Sequence, residues 1–576
     1  MGKIKFTLLS ILAILLIGGC KSDQNGAADT DADFVIRMSK QAEQINPILF
    51  PSPIAREIYQ YIFTPVAEID PDNLELVPLL IKAINPLVTH EDGSYTLEAE
   101  ILEEAKWDDG TPITGADYAF TLKSILHPAT DASSYKYMKE IINDVLVDEA
   151  NPKKFTIVFD DYSMDMKESA LTFELLPQHI YDPENITKTF TLRDLADTTK
   201  LATLSQDSTF MRFATELNGP KYTREVISGS GPYAFVEWKD NEAIILERKA
   251  NYWAKDRKEE MFHANPAKII FVIIPDETAA ITQMAAGNVD LINSVTVNTY
   301  ETFQDSVKGK GNISWLNVQL PKFYVYLLNH KDKMLQDKNV RKALQAINNT
   351  DEYIKTFENG NATKLTSFVP SFLPGYNKDI KNIGGQMDLA KTYLKEAGWE
   401  DTNGNGTVDK VMDGKKEELK LQMLVSGDLS VKFGLLFKEQ CAKAGIELDV
   451  VRKDFPLVRK ENMNTRNYQI IPTLFSVELI LENPFDTYHS SNIETTNVSS
   501  YTSAEADSLI NIITSVEDDA TRIAAHKKLQ EEIYDDAVMI YLYAPIDRIA
   551  LSDKWEGKAS LSRPGYRANT FTLGKN

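Results

Sequence analysis

The chain has 576 residues, with 62 Lys and Arg against 84 Asp and Glu, a formal charge of −22. A hydrophobic fraction of 43% supplies enough core for two to four domains and excludes wholesale disorder. The acidic balance excludes a general nucleic-acid binder, which needs a basic footprint, and two cysteines, Cys20 and Cys441, exclude a disulfide scaffold or a thiolate metal cluster.

Lys3 and Lys5 precede an apolar run from Phe6 to Ile17, shorter than the roughly 20 residues that a spanning helix needs. The run ends Ile17-Gly18-Gly19-Cys20, which resembles the lipobox of bacterial lipoproteins. Residues 1–20 are therefore expected to be a lipoprotein signal peptide, with Cys20 acylated and residues 21–33 a solvated tether. No other stretch is apolar enough to span a membrane, so membrane attachment is expected through the lipid alone. Cys441 is expected to be buried and inert.

The globular pattern starts at Phe34. Phe34–Met38 reads as a strand, and Ile54–Phe63 as a helix after the prolines at 47, 51 and 53. Thr96–Ile101 alternates as a strand, Gly110 closes a turn, and Thr114 caps a helix with Asp117 in its first turn. Lys153–Phe159 is a further strand, and 180–225 reads as surface helices and loops. Tyr233–Trp238 and Ala243–Arg248 form a hairpin about Lys239-Asp240-Asn241. A buried strand at Ile269–Ile274 precedes a helix from Glu277 that ends near Gly287. Strand, helix, glycine, strand then recurs: Tyr324–Leu328, Lys338–Ile347, Leu389–Ala397 before Gly398, Leu419–Leu424, Phe437–Ala444 before Gly445, and Glu447–Val451. This rhythm predicts parallel or mixed sheets flanked by helices.

Several segments together resemble the extracytoplasmic solute-binding proteins of peptide-type ABC importers, the oligopeptide, dipeptide and nickel-binding family. They are Gln44-Ile45-Asn46-Pro47, Val77-Pro78-Leu79-Leu80, Asp92 to Thr96, Trp107 to Asp117, Gly229 to Tyr233 with Asn251-Tyr252-Trp253, Asn339 to Leu344, Ala397-Gly398-Trp399 and Ala444-Gly445-Ile446. The resemblance implies an α/β, bilobed periplasmic-binding-protein fold of type II, the large peptide-binding class, with an extra inserted subdomain. Lobe one would comprise 34–78, 225–319 and 541–576, the insert 79–224, and lobe two 320–540. It implies a monomer in the cell envelope, facing the periplasm or extracytoplasmic side, that closes on a di- or oligopeptide and delivers it to the permease. The same role for a non-peptide solute is the alternative. An envelope hydrolase or a structural lipoprotein is a more distant one, since Gly229-Ser230-Gly231 lacks the spacing of a nucleophile elbow.

In peptide-binding relatives a glycine-tryptophan segment bears an aspartate for the ligand's α-ammonium. Here the corresponding stretch is Thr473 to Asp486, without Gly-Trp, and Glu478 falls at or near the acidic position. The expected ligand contacts are therefore Phe475, Ser476 and Glu478, opposed by Glu43, Gln44 and Ile45, with Tyr324 and Tyr326 as an aromatic wall. No cofactor is expected. Asp401, Asn403, Asn405 and Asp409 have the spacing of the first positions of a calcium loop, but Met412 stands where a bidentate Glu is needed, so a solvated hairpin loop is the favoured reading. The seven histidines show no ligand spacing.

Overall fold

The structure, a computed structural model, describes residues 31–49, 52–307 and 313–574. Cys20 and most of the expected tether lie outside the described residues. Among the described residues no helix is long and apolar enough to cross a membrane.

The first sheet has seven strands in the spatial order 313–318, 547–552, 291–292, 34–38, 268–273, 243–248 and 233–239. Phe34–Met38 lies parallel to both of its neighbours, and the remaining pairs are antiparallel. Fully buried Phe34, Ile36, Ile269, Phe271 and Leu291 place the centre of this sheet in the core. The second sheet has five strands, ordered 447–452, 420–425, 470–476, 322–328 and 539–541. Between the strands of the first sheet the chain also builds a four-stranded antiparallel sheet from 88–89, 95–100, 154–159 and 144–147. Helix Gly115–Leu126 packs on it, and helix Ser208–Leu217 meets that helix through Phe213 against Phe120. The arrangement is a bilobed α/β fold with an inserted subdomain.

The chain crosses between the two large sheets at 318–322 and again at 541–547. An ion pair joins the two crossings: the Lys322 ammonium lies 2.6 Å from both carboxylate oxygens of Asp547. The closing segment, 553–574, returns along lobe one.

The periodic elements form largely where the pattern places them. Thr114 N–H donates to the Asp117 carboxylate at 2.9 Å, closing the capping box of Gly115–Leu126. Asn241 and Gly287 adopt positive φ, as the hairpin turn and the helix end require. Cys441 is fully buried, and burial pushes its thiol pKa upward. Two helices differ in length. The first ends at Tyr59 rather than Phe63. The helix expected from Phe437 begins at Asp428. Gly434 lies inside it, and a Cβ there would come within 2.8 Å of Val450 Cγ1. The glycine permits close helix-on-sheet packing instead of marking a break.

Candidate functional site

Helix Pro53–Tyr59 begins the site. Ser52 Oγ accepts the Ala55 N–H at 3.1 Å, and Pro53 occupies the first turn, where its missing N–H costs nothing. Ala55, Ile58 and Tyr59 are buried against lobe one. Glu57 turns inward as well: Asn293 Nδ2 donates to it at 2.8 Å and the Tyr566 hydroxyl donates to the same oxygen. Arg56 points the other way and stays open to solvent. It is nonetheless surrounded by protein charges. Burial works against its positive charge, but Tyr59, Glu478 and Glu174 outweigh burial and raise its pKa.

Lobe two supplies the facing wall. Strand Ile470–Ser476 runs on into a segment whose alternation buries Val477 and Leu479 and leaves the Glu478 side chain 66% exposed. The backbone is clamped there: Val477 N–H donates to Pro321 O at 2.9 Å, and Arg563 Nη2 donates to Val477 O at 2.8 Å. Arg563 Nη2 also stands 3.6 Å from Glu478 Oε1. Four residues on, Glu482 is pushed up to about 8, chiefly by burial and then by the charge of Glu478. Its carbonyl accepts from His526 Nε2 at 3.0 Å, an imidazole held neutral because burial lowers its pKa to about 4. Burial also raises Asp486, with Asp165 of the inserted subdomain adding to the effect.

The inserted subdomain closes the third side. Glu174 is only 8% exposed, and burial lifts its carboxyl to about 7, partly countered by Arg56. Tyr135 and Tyr137 are both raised, first by burial. Glu174 adds to the shift at Tyr135, and Asp165, Glu478 and Asp486 add to that at Tyr137. The cleft therefore joins two guanidiniums, several carboxylates and a tyrosine face, from segments far apart in the chain.

The expected contacts divide. Glu478 lies in the cleft, and so does the edge of Phe475, whose ring stacks on Phe323 at 5.9 Å between centroids and packs against the same buried cluster as Ile69 and Leu74. Ser476 is exposed at the end of its strand, opposite Lys322. Glu43, Gln44 and Ile45 are placed elsewhere. Ile45 is fully buried with its N–H on Thr223 O at 3.0 Å, the Glu43 carbonyl accepts from Arg224 Nε at 3.2 Å, and Gln44 bonds within its own loop, to Leu49 and Asn46. This loop leans on the 219–226 segment, because the chain turns away from the sheet edge before it returns in the helix that carries Arg56. Tyr324 and Tyr326 do not form the cleft wall either. Residues two apart share a strand face, so both turn to the opposite side of the sheet from Phe323 and Val325. Tyr326 is fully buried with its hydroxyl 2.9 Å from that of Tyr353, and Tyr324 packs on Phe433 and Tyr543, burial pushing its phenol up to about 12.

Arg56, Tyr59, Tyr135, Tyr137, Glu174, Glu482 and Arg563 are functional candidates that the sequence reading did not single out. Only Arg56-Glu57 gives a local signal, as a charged pair inside an otherwise apolar helix.

The 401–409 loop folds on itself. Asp401 accepts the N–H groups of Gly404 and Gly406 at 2.7 and 2.9 Å, Asn403 accepts that of Asn405, and Asn405 that of Thr407. Asp409 takes the Thr402 hydroxyl at 2.6 Å and pairs with Lys416 at 3.2 Å. Met412 pairs with Lys415 in a hairpin, Asp409–Met412 against Lys415–Glu418. The loop oxygens thus already accept donors of the chain itself.

Residues 75–488 match the bacterial extracellular solute-binding proteins, family 5. The whole chain aligns with the oligopeptide-binding protein AppA of Bacillus subtilis strain 168, 24% identical over 594 residues, covering 100% of this chain and 99% of that protein. The structure of Bacillus subtilis AppA in complex with a nonapeptide has a TM-score of 0.71 at 22% identity, covering 96% of this chain and 100% of that one. NikA from Brucella suis in complex with Fe(III)-EDTA has a TM-score of 0.74 at 17% identity, covering 94% and 100%. These two structures share the fold, and the family match, which spans more than half of the chain, shows its kinship. The chain belongs to family 5 of the bacterial extracellular solute-binding proteins, and it is a binding protein, not an enzyme.

Proposed function

We propose that this protein captures di- or oligopeptides in the cleft between its lobes and delivers them to the permease of an ABC importer. The supporting observation is the meeting of opposite charges across the cleft: Arg563 Nη2, in the closing segment along lobe one, stands 3.6 Å from Glu478 Oε1 on lobe two. A peptide carries an ammonium and a carboxylate, and each finds a partner in such a cleft. The name and bound nonapeptide of AppA point the same way. Glu478 is the partner for the ammonium, with Phe475 as an apolar neighbour. The protein works as a monomer, anchored in the envelope through an acylated Cys20.

Mass analysis of small molecules released on denaturing the purified protein tests the ligand class. Removing one partner of a charge pair at a binding site costs about 2–5 kcal/mol, so Glu478→Gln weakens an amine-bearing ligand by tens-fold or more. The ligand-free thermal midpoint stays nearly unchanged, because Glu478 is largely exposed. Equal affinities would remove Glu478 from the site, and a preference for N-acetylated peptides would overturn the peptide reading. Cys20→Ser is expected to release the protein from the membrane fraction; a variant that remained acylated would refute the anchor.

A further inference from the structure

We infer that His526, aimed by Gln530, is the positioning residue for the part of the lobe-two wall that carries Glu478. The inference rests on the reading that Glu478 meets the ligand, and it names what holds that residue in place.

Glu478 sits in a stretch without regular structure. Between Ser476, where strand Ile470–Ser476 ends, and Phe485, where a short helix begins, the chain forms neither strand nor helix. Its entry is fixed, since Val477 N–H donates to Pro321 O at 2.9 Å and Val477 O accepts from Arg563 Nη2 at 2.8 Å. Beyond that point the backbone has a single further anchor. Among the described residues, the only hydrogen bond to the main chain of 478–483 is the one that His526 Nε2 donates to Glu482 O at 3.0 Å. The side chain of Leu481 leans on the same support, because a Cβ on Gly375 would stand 2.6 Å from Leu481 Cδ1 and 3.7 Å from His526 Nδ1.

The donor is held in one direction. A neutral imidazole has one nitrogen that donates and one that accepts. A carbonyl only accepts, so Nε2 carries the proton and Nδ1 must accept. Gln530 Nε2, 3.1 Å from Nδ1, supplies that bond. Gln530 is fully buried and cannot turn its amide over: Nε2 also donates to Gly375 O at 2.7 Å, and Oε1 accepts the Asn377 N–H at 3.0 Å. Asn377 is tied to the same helix, donating to Lys527 O at 3.1 Å and to the Glu531 carboxylate at 2.9 Å. His526 is itself fully buried and packs on Phe368 at 5.3 Å between centroids, and the burial that keeps it neutral keeps Nδ1 an acceptor. A buried polar chain whose members are all satisfied fixes one geometry. Here it runs from the 375–377 loop through helix Asp519–Asp535 to the backbone four residues from Glu478. A site holds its ligand only as firmly as the groups behind it hold the site.

The test uses the full chain and glutamyl endopeptidase, which cuts after glutamate. His526→Phe keeps a ring against Phe368 and removes the donor. Cleavage after Glu478 and Glu482 is expected to run at least tenfold faster in this variant than in the wild type, with cleavage after Glu439, in the lobe-two helix Asp428–Ala442, unchanged. His526→Gln, whose amide places an N–H near the position of Nε2, should recover most of the difference. Residue 530 makes no hydrogen bond to the segment, yet Gln530→Met frees the imidazole tautomer and should speed the same two cuts. Titration then reads the site. Trialanine should bind His526→Phe tenfold or more weakly, and N-acetyl-trialanine should lose much less, because only the free amine needs Glu478 in place. Unaltered cleavage after Glu478 and Glu482 in either variant would overturn the inference, as would faster cleavage with an unaltered preference for the free amine. Where His526→Phe also speeds the Glu439 cut, Gln530→Met alone decides. A faster Glu439 cut in both variants would mean general loosening and would overturn the inference. If trialanine binds neither wild type nor variants, the peptide reading fails and cleavage decides the inference by itself.

Discussion

Adjacent residues in one helix do opposite work at positions 56 and 57. Arg56 faces the cleft and gains from the carboxylates across it, whereas Glu57 turns into lobe one and is 7% exposed. Burial lifts Glu57 to about 7, although Tyr566 and Asn293 donate hydrogen bonds to it and Arg37 lends positive charge. A carboxyl raised in the folded state binds more protons there than in the unfolded chain. Stability from this group is therefore full below the unfolded value of 4.5 and is lost as pH rises to about 7. The loss amounts to about 3 kcal/mol over that window. Glu57→Gln, which keeps the acceptor and cannot ionise, should flatten the fall of the thermal midpoint between pH 5 and pH 8. An unchanged slope in the variant would show that another group carries it.

At the scale of elements, two of the sequence's most distinctive segments turn out to be one joint. The turn Trp107–Asp109 and the loop 228–233 meet through Asp108, which accepts Ser228 Oγ at 3.0 Å and Gly229 N–H at 3.2 Å and pairs with the Lys249 ammonium. Lys249 also donates to the Gly229 carbonyl at 3.1 Å. Glycine is required there, since a Cβ on Gly229 would stand 2.3 Å from Ile62 O. Asp108→Ala leaves Lys249 buried without its counter-ion and should destabilise the protein by about 3–5 kcal/mol. Asp108→Ala combined with Lys249→Met should recover part of that loss in denaturant unfolding. A full loss in the double variant would locate the energy in the Ser228 and Gly229 bonds instead. Such scaffold joints are legible in sequence because their residues are local: turn residues, caps and alternating strands declare themselves within a few positions. The face of a strand is harder. Nothing between Lys322 and Leu328 tells which parity looks into the cleft, and the aromatic residues there lie on both faces, Phe323 on one and Tyr324 and Tyr326 on the other. Gly434 misleads in the opposite way, since a residue that often ends a helix lies here within one.

At the scale of the whole molecule the candidate site was the least legible part, because Arg56, Glu174, Glu478 and Arg563 meet only when two lobes and a subdomain are assembled, and no local spacing records that meeting. The same assembly brings further groups together outside the cleft. Tyr95 Oη donates to Glu517 Oε1 at 3.0 Å, and Arg522 Nη1 donates to Tyr162 Oη at 2.8 Å, so the inserted sheet is tied to the helices of lobe two. These bonds exist only while the subdomain rests on lobe two. Their free energy therefore favours the arrangement in which the subdomain rests on lobe two, and it leaves each lobe's own fold alone. A ligand held between the lobes gains from every contact that forms on closure, whether or not it touches the ligand. Replacing Tyr162 by Phe removes one such bond without opening a cavity, and the affinity for a bound peptide should fall roughly three- to tenfold. The change is expected mainly in the dissociation rate, since an opened cleft frees its ligand. The ligand-free thermal midpoint should hold, and small-angle scattering without ligand should show a larger radius of gyration than the wild type. Unaltered dissociation together with unaltered scattering would mean that closure is governed by the cleft and the crossings at 318–322 and 541–547 alone.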